Sequence, residues 1–360
     1  MAILTRTPSE LAPAPFFPVT PLEFPNRHGL LVRSPNWLGD AVMILPALRV
    51  LHQVTSKAGV QLAVLAPAGL NDLFSCCSDV DNVICLTRQH AAFDPTAKST
   101  IRKFYPDAAL LFNNSLRDTL SLRQLGVKNL YGAAARCRSL FLKRAFRFPK
   151  RRNCILNEMH HANKYLAMAY ALGAPQWDGR FSDWHFPETP SVLHEDNRRL
   201  LVLAAGAAYG AAKRWSAGEF HEVAETWIAS GGRVAALGSA AERKINEEVI
   251  ADFAPADAVN LSGETNFFQL AEILRRATFC VANDSGIMHL AAALGTPGIA
   301  IFGPTDYAAT GPISSQWSVI YNKIDCSPCF KRECPKKDPV CMKVVHASDV
   351  IAAMRQRNLF

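Results

Sequence analysis

Leu30-Leu31-Val32-Arg33 runs directly into Ser34-Pro35-Asn36-Trp37-Leu38-Gly39-Asp40 and on into Ala41-Val42-Met43-Ile44-Leu45-Pro46-Ala47-Leu48. A short apolar run, a Gly-containing turn and an amphipathic stretch read as strand, loop and helix, with Leu30–Arg33 the buried strand and Asp40–His52 the helix. Outward from this point the pattern repeats. Gln61–Ala66, Asn82–Leu86 and Asp107–Phe112 read as further strands. The rhythm fades between Trp177 and Arg199, where Pro187, Pro190 and mixed charge suggest a linker, and then restarts. Strands are expected at Leu200–Ala204, Arg233–Leu237, Val259–Leu261, Phe279–Ala282 and Gly298–Phe302, alternating with helices at Ala217–Ser230, Ala241–Phe253, Phe267–Ala277 and Ser285–Leu294. A last helix is expected near Ser348–Arg357. Such alternation is the βαβ signature of parallel sheets covered by helices, so the fold class is α/β. The expected organisation is a Pro-rich arm (1–28), a Rossmann-like domain (29–180), a linker (181–199) and a second Rossmann-like domain (200–360), the two domains facing each other across a cleft.

Composition agrees. A chain of 360 residues and 39.5 kDa exceeds one core of ordinary size, and 49% hydrophobic with 19% charged residues is globular. Disordered, fibrous and small disulfide-scaffold classes are excluded. The longest apolar stretches, Leu200–Ala212 and Leu290–Phe302, are interrupted by Gly or Pro and fall short of a membrane span. Pro8, Pro13, Pro15, Pro18, Pro21 and Pro25 break up any signal-peptide core in residues 1–28. The expectation is a cytoplasmic protein with reduced thiols, its opening segment an extended arm outside the fold. A net charge of +8 and a pI near 9.0 point to an anionic partner. Between residues 100 and 152, thirteen Lys or Arg stand against Asp107 and Asp118, and the rest of the chain is slightly acidic. The clustering favours a docking surface for a polyanion over a merely solvated face.

Four motifs carry chemistry. In the first, Ser34–Asp40, Gly39 permits close backbone approach. Asp40 stands in a first helical turn, where the helix dipole alone would also favour a carboxylate. The second is Asn283-Asp284-Ser285-Gly286-Ile287-Met288-His289, again a strand end entering a helix. A cap, a Gly and free amides there suit a phosphate or diphosphate, although His289 alone reads equally as a structural histidine. The third, Gly206–Trp215, is a loop of small residues followed by Lys213; it lacks the Gly-Lys-[Ser/Thr] ending of a P-loop. In the fourth, Gly238-Ser239-Ala240-Ala241-Glu242, the carboxylate of Glu242 is suited to ribose hydroxyls.

With these residues quoted, the chain resembles the bacterial ADP-heptose:lipopolysaccharide heptosyltransferases of glycosyltransferase family 9, their heptosyltransferase II branch more than I. The resemblance runs from about Leu30 to the C-terminus and rests on Ser34–Leu48, Ala212–Trp215, Asn283–His289 and Phe302-Gly303-Pro304-Thr305. It implies the GT-B architecture, with the acceptor bound by the first domain and the sugar nucleotide by the second. It further implies inverting transfer of L-glycero-D-manno-heptose from ADP-heptose to the first heptose on Kdo2-lipid A. Asp40 would be the general base, Lys213 would offset charge on the leaving ADP, Glu242 would contact ribose and Asp284 the heptose. Ser285 and Gly286 would hold the diphosphate with His289 nearby. Asn36 and Trp37 are implied acceptor contacts; Arg117, Arg123 and Arg136 are acceptor-phosphate candidates from charge and placement. No cofactor or catalytic metal is required if Lys213 and the helix amides carry the charge. The inner face of the inner membrane is a candidate peripheral surface. Ser216 departs from the family's usual Pro, and residues 1–28 have no counterpart in it.

Cys326, Cys329, Cys334 and Cys341 follow a C-x2-C-x4-C-x6-C spacing that fits either a tetrahedral structural zinc or reduced, packed thiols. Two other readings stand beside the heptosyltransferase II one. Heptosyltransferase I or another sugar-nucleotide transferase would share the fold. A zinc-bearing nucleic-acid-binding protein would account for the basic segment and the cysteines, but it leaves both strand-to-helix turns unexplained, so no nucleic-acid partner is expected.

Overall fold

The structure, a computed structural model, describes residues 2–5, 11, 16–87, 92–135, 137–148, 160–194 and 196–360. Two compact units divide the chain: Pro8–Pro187, and Met1–Thr7 together with Glu188–Phe360. The first strand, β1 (Ala2–Thr5), belongs to the latter.

In the unit Pro8–Pro187, β2 (Gly29–Arg33), β3 (Gln61–Pro67), β4 (Asn82–Leu86), β5 (Ala108–Leu111), β6 (Asn129–Ala133) and β7 (Arg144–Phe146) form one parallel sheet in the order β4-β3-β2-β5-β6-β7. This is the Rossmann strand order, whose connections diverge between β2 and β5 and leave a crevice at their carboxyl ends. Leu30, Leu31 and Val32 are buried because both sheet faces are covered, hence the unbroken apolar run. Leu31, Ala63, Leu65, Ile84, Ala109 and Leu111 form one core with Ile101 and Leu122 from the helices, each large aliphatic side chain contributing roughly 1.5–3 kcal/mol. The single helix expected at Asp40–His52 is two, Leu38–Met43 and Leu45–Ala58. Pro46 lies in the first turn of the second, where its missing N–H costs nothing, but it cannot continue the first.

The other unit repeats the plan. β8 (Leu200–Ala204), β9 (Arg233–Ala236), β10 (Ala258–Asn260), β11 (Phe279–Asn283), β12 (Gly298–Phe302) and β13 (Trp317–Tyr321) run parallel in the order β13-β12-β11-β8-β9-β10. Its switch point lies between β8 and β11. The helices Ala217–Ala229 and Ala347–Arg355 share one core with β8, β11 and β12 through Phe220, Val223, Trp227, Val350 and Met354.

Three further features differ from expectation. β6, β7 and β13 were not anticipated; β6 contains Gly132 and β7 has three residues, too short to show a period. The opening segment is not outside the fold. β1 pairs antiparallel with β13, Ala2 opposite Tyr321, and Thr20 and Leu22 donate their amides to Ala171 and Leu172 at 2.8 and 3.1 Å. Asp107 accepts the amides of Asn26, His28 and Gly29; burial acts the other way, but these donors hold its carboxyl below the usual range. Finally, Arg138 and Arg144 do not add to a basic face. Arg138 is wholly buried and spends its guanidinium on the Ala133 and Asn113 carbonyls, while Arg144 caps the Ala171 and Pro18 carbonyls. Carbonyls in loops and at the ends of a strand and a helix, which have spare acceptor capacity, recruit these side chains.

Candidate functional site

At the switch point of the unit Glu188–Phe360, the loop leaving β8 and the turn leaving β11 meet. Lys213 Nζ lies 2.6 Å from Asp284 Oδ2, and the same oxygen accepts Thr305 Oγ1 at 2.6 Å. Asn283, buried at the end of β11, locks the two loops in place: its Nδ2 donates to Ala205 O at 2.7 Å and its Oδ1 accepts the Trp215 amide at 3.1 Å. Ser285 is the N-cap of the helix Gly286–Ala293, its Oγ accepting from the Met288 amide. His289, in the first turn, is buried, and burial pulls its pKa down to about 4 despite the opposing charge of Asp284. The imidazole is therefore neutral at physiological pH. Glu242 accepts from Ser239 N and Oγ, both at 2.8 Å, and its carboxylate packs against Gly206 so closely that a Cβ there would sit 2.2 Å from it. Lys213, Asp284, Ser285, Gly286 and His289 thus gather at one crevice, with Glu242 beside the opening of its first loop.

In the unit Pro8–Pro187 the corresponding turn is Ser34–Asp40. Arg33, on the last position of β2, is buried; its Nε meets Asp118 Oδ2 at 2.8 Å, its Nη1 the Ser34 carbonyl at 2.6 Å and its Nη2 Asn36 Oδ1 at 2.8 Å. Asp118 also accepts from Asn113 Nδ2 and Ser115 Oγ, so one ion pair holds the turns after both β2 and β5. Asp40 stands in the first turn of Leu38–Met43, and the exposed Trp37 precedes that helix. Burial, and after it the Asp40 charge, push the Tyr165 phenol well above its usual range. Arg117 is exposed at the start of the helix Leu116–Gln124. Arg123 sits in its last turn and donates to the Lys128 carbonyl just before β6, at the amino edge of the sheet, so it is not gathered with Asp40. Arg136 lies outside the described residues.

Residues 88–339 match the family model described as glycosyltransferase family 9 (heptosyltransferase). The chain belongs to this family. As a family 9 glycosyltransferase it is 27% identical over 327 residues to the lipooligosaccharide heptosyltransferase 2 of Haemophilus ducreyi, covering 82% of this chain and 89% of that one. The lipopolysaccharide heptosyltransferase 1 of Pseudomonas aeruginosa is 31% identical over 164 residues, 42% of this chain and 44% of its own length. The solved structure of the E. coli ADP-heptose LPS heptosyltransferase II superimposes with a TM-score of 0.69 at 26% identity, covering 82% of this chain and 91% of that one. The α/β fold is the GT-B fold of such heptosyltransferase structures.

Several residues of the transferase's crevices escaped the sequence reading. Thr305 was quoted within a motif without a role, and Arg33, Asn113 and Asp118 were not singled out at all. Only Arg33 left a trace, a charge closing an otherwise apolar strand. The expectation that the chain lacks the Asp-x-Asp pair common in metal-dependent glycosyltransferases is incorrect, since Asp79-Val80-Asp81 is such a pair. It serves the structure instead: Asp79 accepts Ser182 Oγ and lies 3.6 Å from Arg49, while Asp81 accepts the Leu62 amide. A structural zinc, one of the two readings of the four cysteines, is not shown. Among the described residues no three His, Cys, Asp or Glu side chains are placed to share a metal ion. Cys326 is exposed and Cys341 buried; burial, and after it the neighbouring Cys329, Cys326 and Cys334, push the Cys341 thiol up to about 11. Among the described residues no helix is long and apolar enough to cross a membrane.

Proposed function

We propose that this family 9 glycosyltransferase moves L-glycero-D-manno-heptose from ADP-heptose to the first heptose carried by Kdo2-lipid A, at the inner core of lipopolysaccharide. The observation that carries the choice of the second-heptose step is the extent of the matches. The relative named heptosyltransferase 2 is matched over 82% of this chain and the one named heptosyltransferase 1 over 42%.

Asp40 takes the proton from the acceptor hydroxyl as its oxygen bonds to the anomeric carbon of the heptose. The bond from that carbon to the diphosphate breaks, ADP leaves with the electron pair, and the configuration inverts. A positioned base contributes typically ~10²–10⁴-fold to such a step. Lys213 and the amides opening the helix Gly286–Ala293 receive the charge growing on ADP, a fixed arrangement that needs no reorganisation during the reaction. Asp284, oriented by Thr305, accepts heptose hydroxyls; Glu242, turned toward Gly206, accepts ribose hydroxyls. The neutral His289 stands beside the diphosphate without adding a competing charge. Trp37 and Asn36 line the acceptor side, with Arg117 its candidate phosphate contact.

The protein works in the cytoplasm at the inner face of the inner membrane. Supporting this, Leu140 is 86% exposed on the turn Arg138–Phe141 and Lys143 follows it, an apolar tip beside a cation suited to an anionic bilayer. Nucleic acid is not a partner in this reading.

A transfer assay read by mass spectrometry tests it, with ADP-heptose and Kdo2-lipid A with or without a first heptose. The expected result is one heptose added only to the pre-heptosylated acceptor. Addition to the bare acceptor would reassign the chain to the first-heptose step. No transfer by folded protein would overturn the donor or acceptor assignment.

A further inference from the structure

The residues gathered at the nucleotide crevice do not balance the charge of a diphosphate. Lys213 is paired with Asp284 at 2.6 Å, His289 is neutral, and Glu242 adds a negative charge nearby. A nucleoside diphosphate brings two to three negative charges to this place, more than one helix N-terminus, worth about half a positive charge, can offset. A further cation is called for, and Arg332 stands against Tyr209, which lies in the same loop that carries Lys213.

The ring of Tyr209, in the loop after β8, is flanked by two cations: Lys213 Nζ lies 4.8 Å from its centroid and the Arg332 guanidinium 5.1 Å. Arg332 comes from the cysteine-rich segment, and that segment is fastened to the crevice at several points. Arg332 O accepts the Ala212 amide at 3.0 Å, and Tyr209 Oη donates to Phe330 O at 3.1 Å, across 121 residues of sequence. Gly210 lies so close to the Arg332 backbone that a Cβ would meet its carbonyl oxygen at 2.2 Å. On the other side, the Phe330 amide donates to Pro304 O at 2.8 Å and Ser327 Oγ donates to Gly303 O, next to Thr305. The segment therefore bridges the two loops that deliver Lys213 and Thr305 to Asp284.

We propose that Arg332 is a further donor-binding residue, which joins Lys213 on the diphosphate of the sugar nucleotide, and that the cysteine-rich segment serves to carry it there. The proposal rests on the donor reading of this crevice. Stacking on Tyr209 restrains the guanidinium before the ligand arrives, so less rotamer freedom is lost on binding. The planar fork adds the paired hydrogen bonds to phosphate oxygens that a lysine cannot supply.

The test titrates the full chain with ADP and, separately, with adenosine by calorimetry. Arg332→Ala is expected to weaken ADP binding about 10- to 100-fold, the range of a charge-assisted contact, while leaving adenosine binding unchanged. Arg332→Lys should recover part of the loss. Gly210→Ala, which forces the two segments apart, should also weaken ADP with the protein still folded by its thermal melt. Unchanged ADP affinity in Arg332→Ala, an equal loss for adenosine, or a loss that instead follows Arg214→Ala, at the arginine directly after Lys213, would overturn the proposal alone. A folded wild-type chain that binds no ADP would overturn the donor reading and this proposal with it.

Discussion

Lys213 and Asp284, 71 residues apart, form a 2.6 Å ion pair where β8 and β11 end side by side. Each is the other's neutralising charge while the crevice is empty, so a ligand must compete for both. Lys213→Ala is expected to lower kcat/KM about 10- to 100-fold, losing the cation and leaving Asp284 buried without its partner. Combined with Asp284→Asn, the two losses should fall short of their sum by about 0.5–3 kcal/mol. Strictly additive effects in a double-mutant cycle of kcat/KM would show that the pair does not act as a unit.

Asp40 is expected to act on the chemical step alone. Asp40→Asn keeps size and hydrogen-bonding capacity but removes the base, so kcat should drop about 10²–10⁴-fold. ADP affinity and melting temperature should stay as in the wild type. A variant retaining more than a tenth of the wild-type kcat would assign the base elsewhere.

His289 sets a pH dependence of stability. Its folded pKa of about 4 lies below the ordinary histidine value near 6.5, so the unfolded chain binds the proton more readily. The resulting contribution is complete above about pH 6.5 and is lost as pH falls toward 4, up to about 3 kcal/mol. Urea unfolding of wild type and His289→Gln at pH 7.0, 5.5 and 4.5 measures it. The difference between the two proteins should shrink on acidification, and a constant difference would contradict the assignment.

Arg33 and Asp118 are both almost completely buried, and they tie the turn carrying Asp40 to the turn after β5. Arg33→Ala strands a carboxylate in the interior and should cost about 3–5 kcal/mol by chemical denaturation. Replacing both at once, Arg33→Met with Asp118→Leu, should cost less than Arg33→Ala, because neither member of the pair is then left alone, although the buried Arg138 loses the nearby Asp118 charge. If the double variant is no more stable than Arg33→Ala, the loss comes from packing rather than from the ion pair.

The two strand-to-helix turns at Ser34–Asp40 and Asn283–His289 were legible because their signals are local. An apolar run, a cap or Gly, and an amphipathic stretch follow one another within some fifteen residues, and a strand, a turn and a helix start are observed at both places, although the helix after Ser34–Asp40 is broken before Leu45. The same locality explains the misses. β7 has three residues and no period, and β1 is a strand only because β13 offers it an edge. The basic segment looked uniform in sequence, yet Arg138 is interior and Arg123 caps the opposite edge from Asp40.

By itself, then, the sequence determined the α/β class, the repeated strand-to-helix turn with the Asp40, Asp284 and Ser285 that those turns present, and the place of Lys213 on the loop after β8, all encoded by neighbours along the chain. Tertiary structure alone decided which charges are paired and where the cysteine-rich segment lies. Whether an arginine is a surface cation, a buried clamp such as Arg33 or a guanidinium held against Tyr209 depends on carbonyls, carboxylates and rings that arrive from dozens to more than a hundred residues away. Burial makes those partners obligatory, since an unpaired charge or polar group in the interior costs several kcal/mol, but no pattern within one segment records which distant partner will meet it.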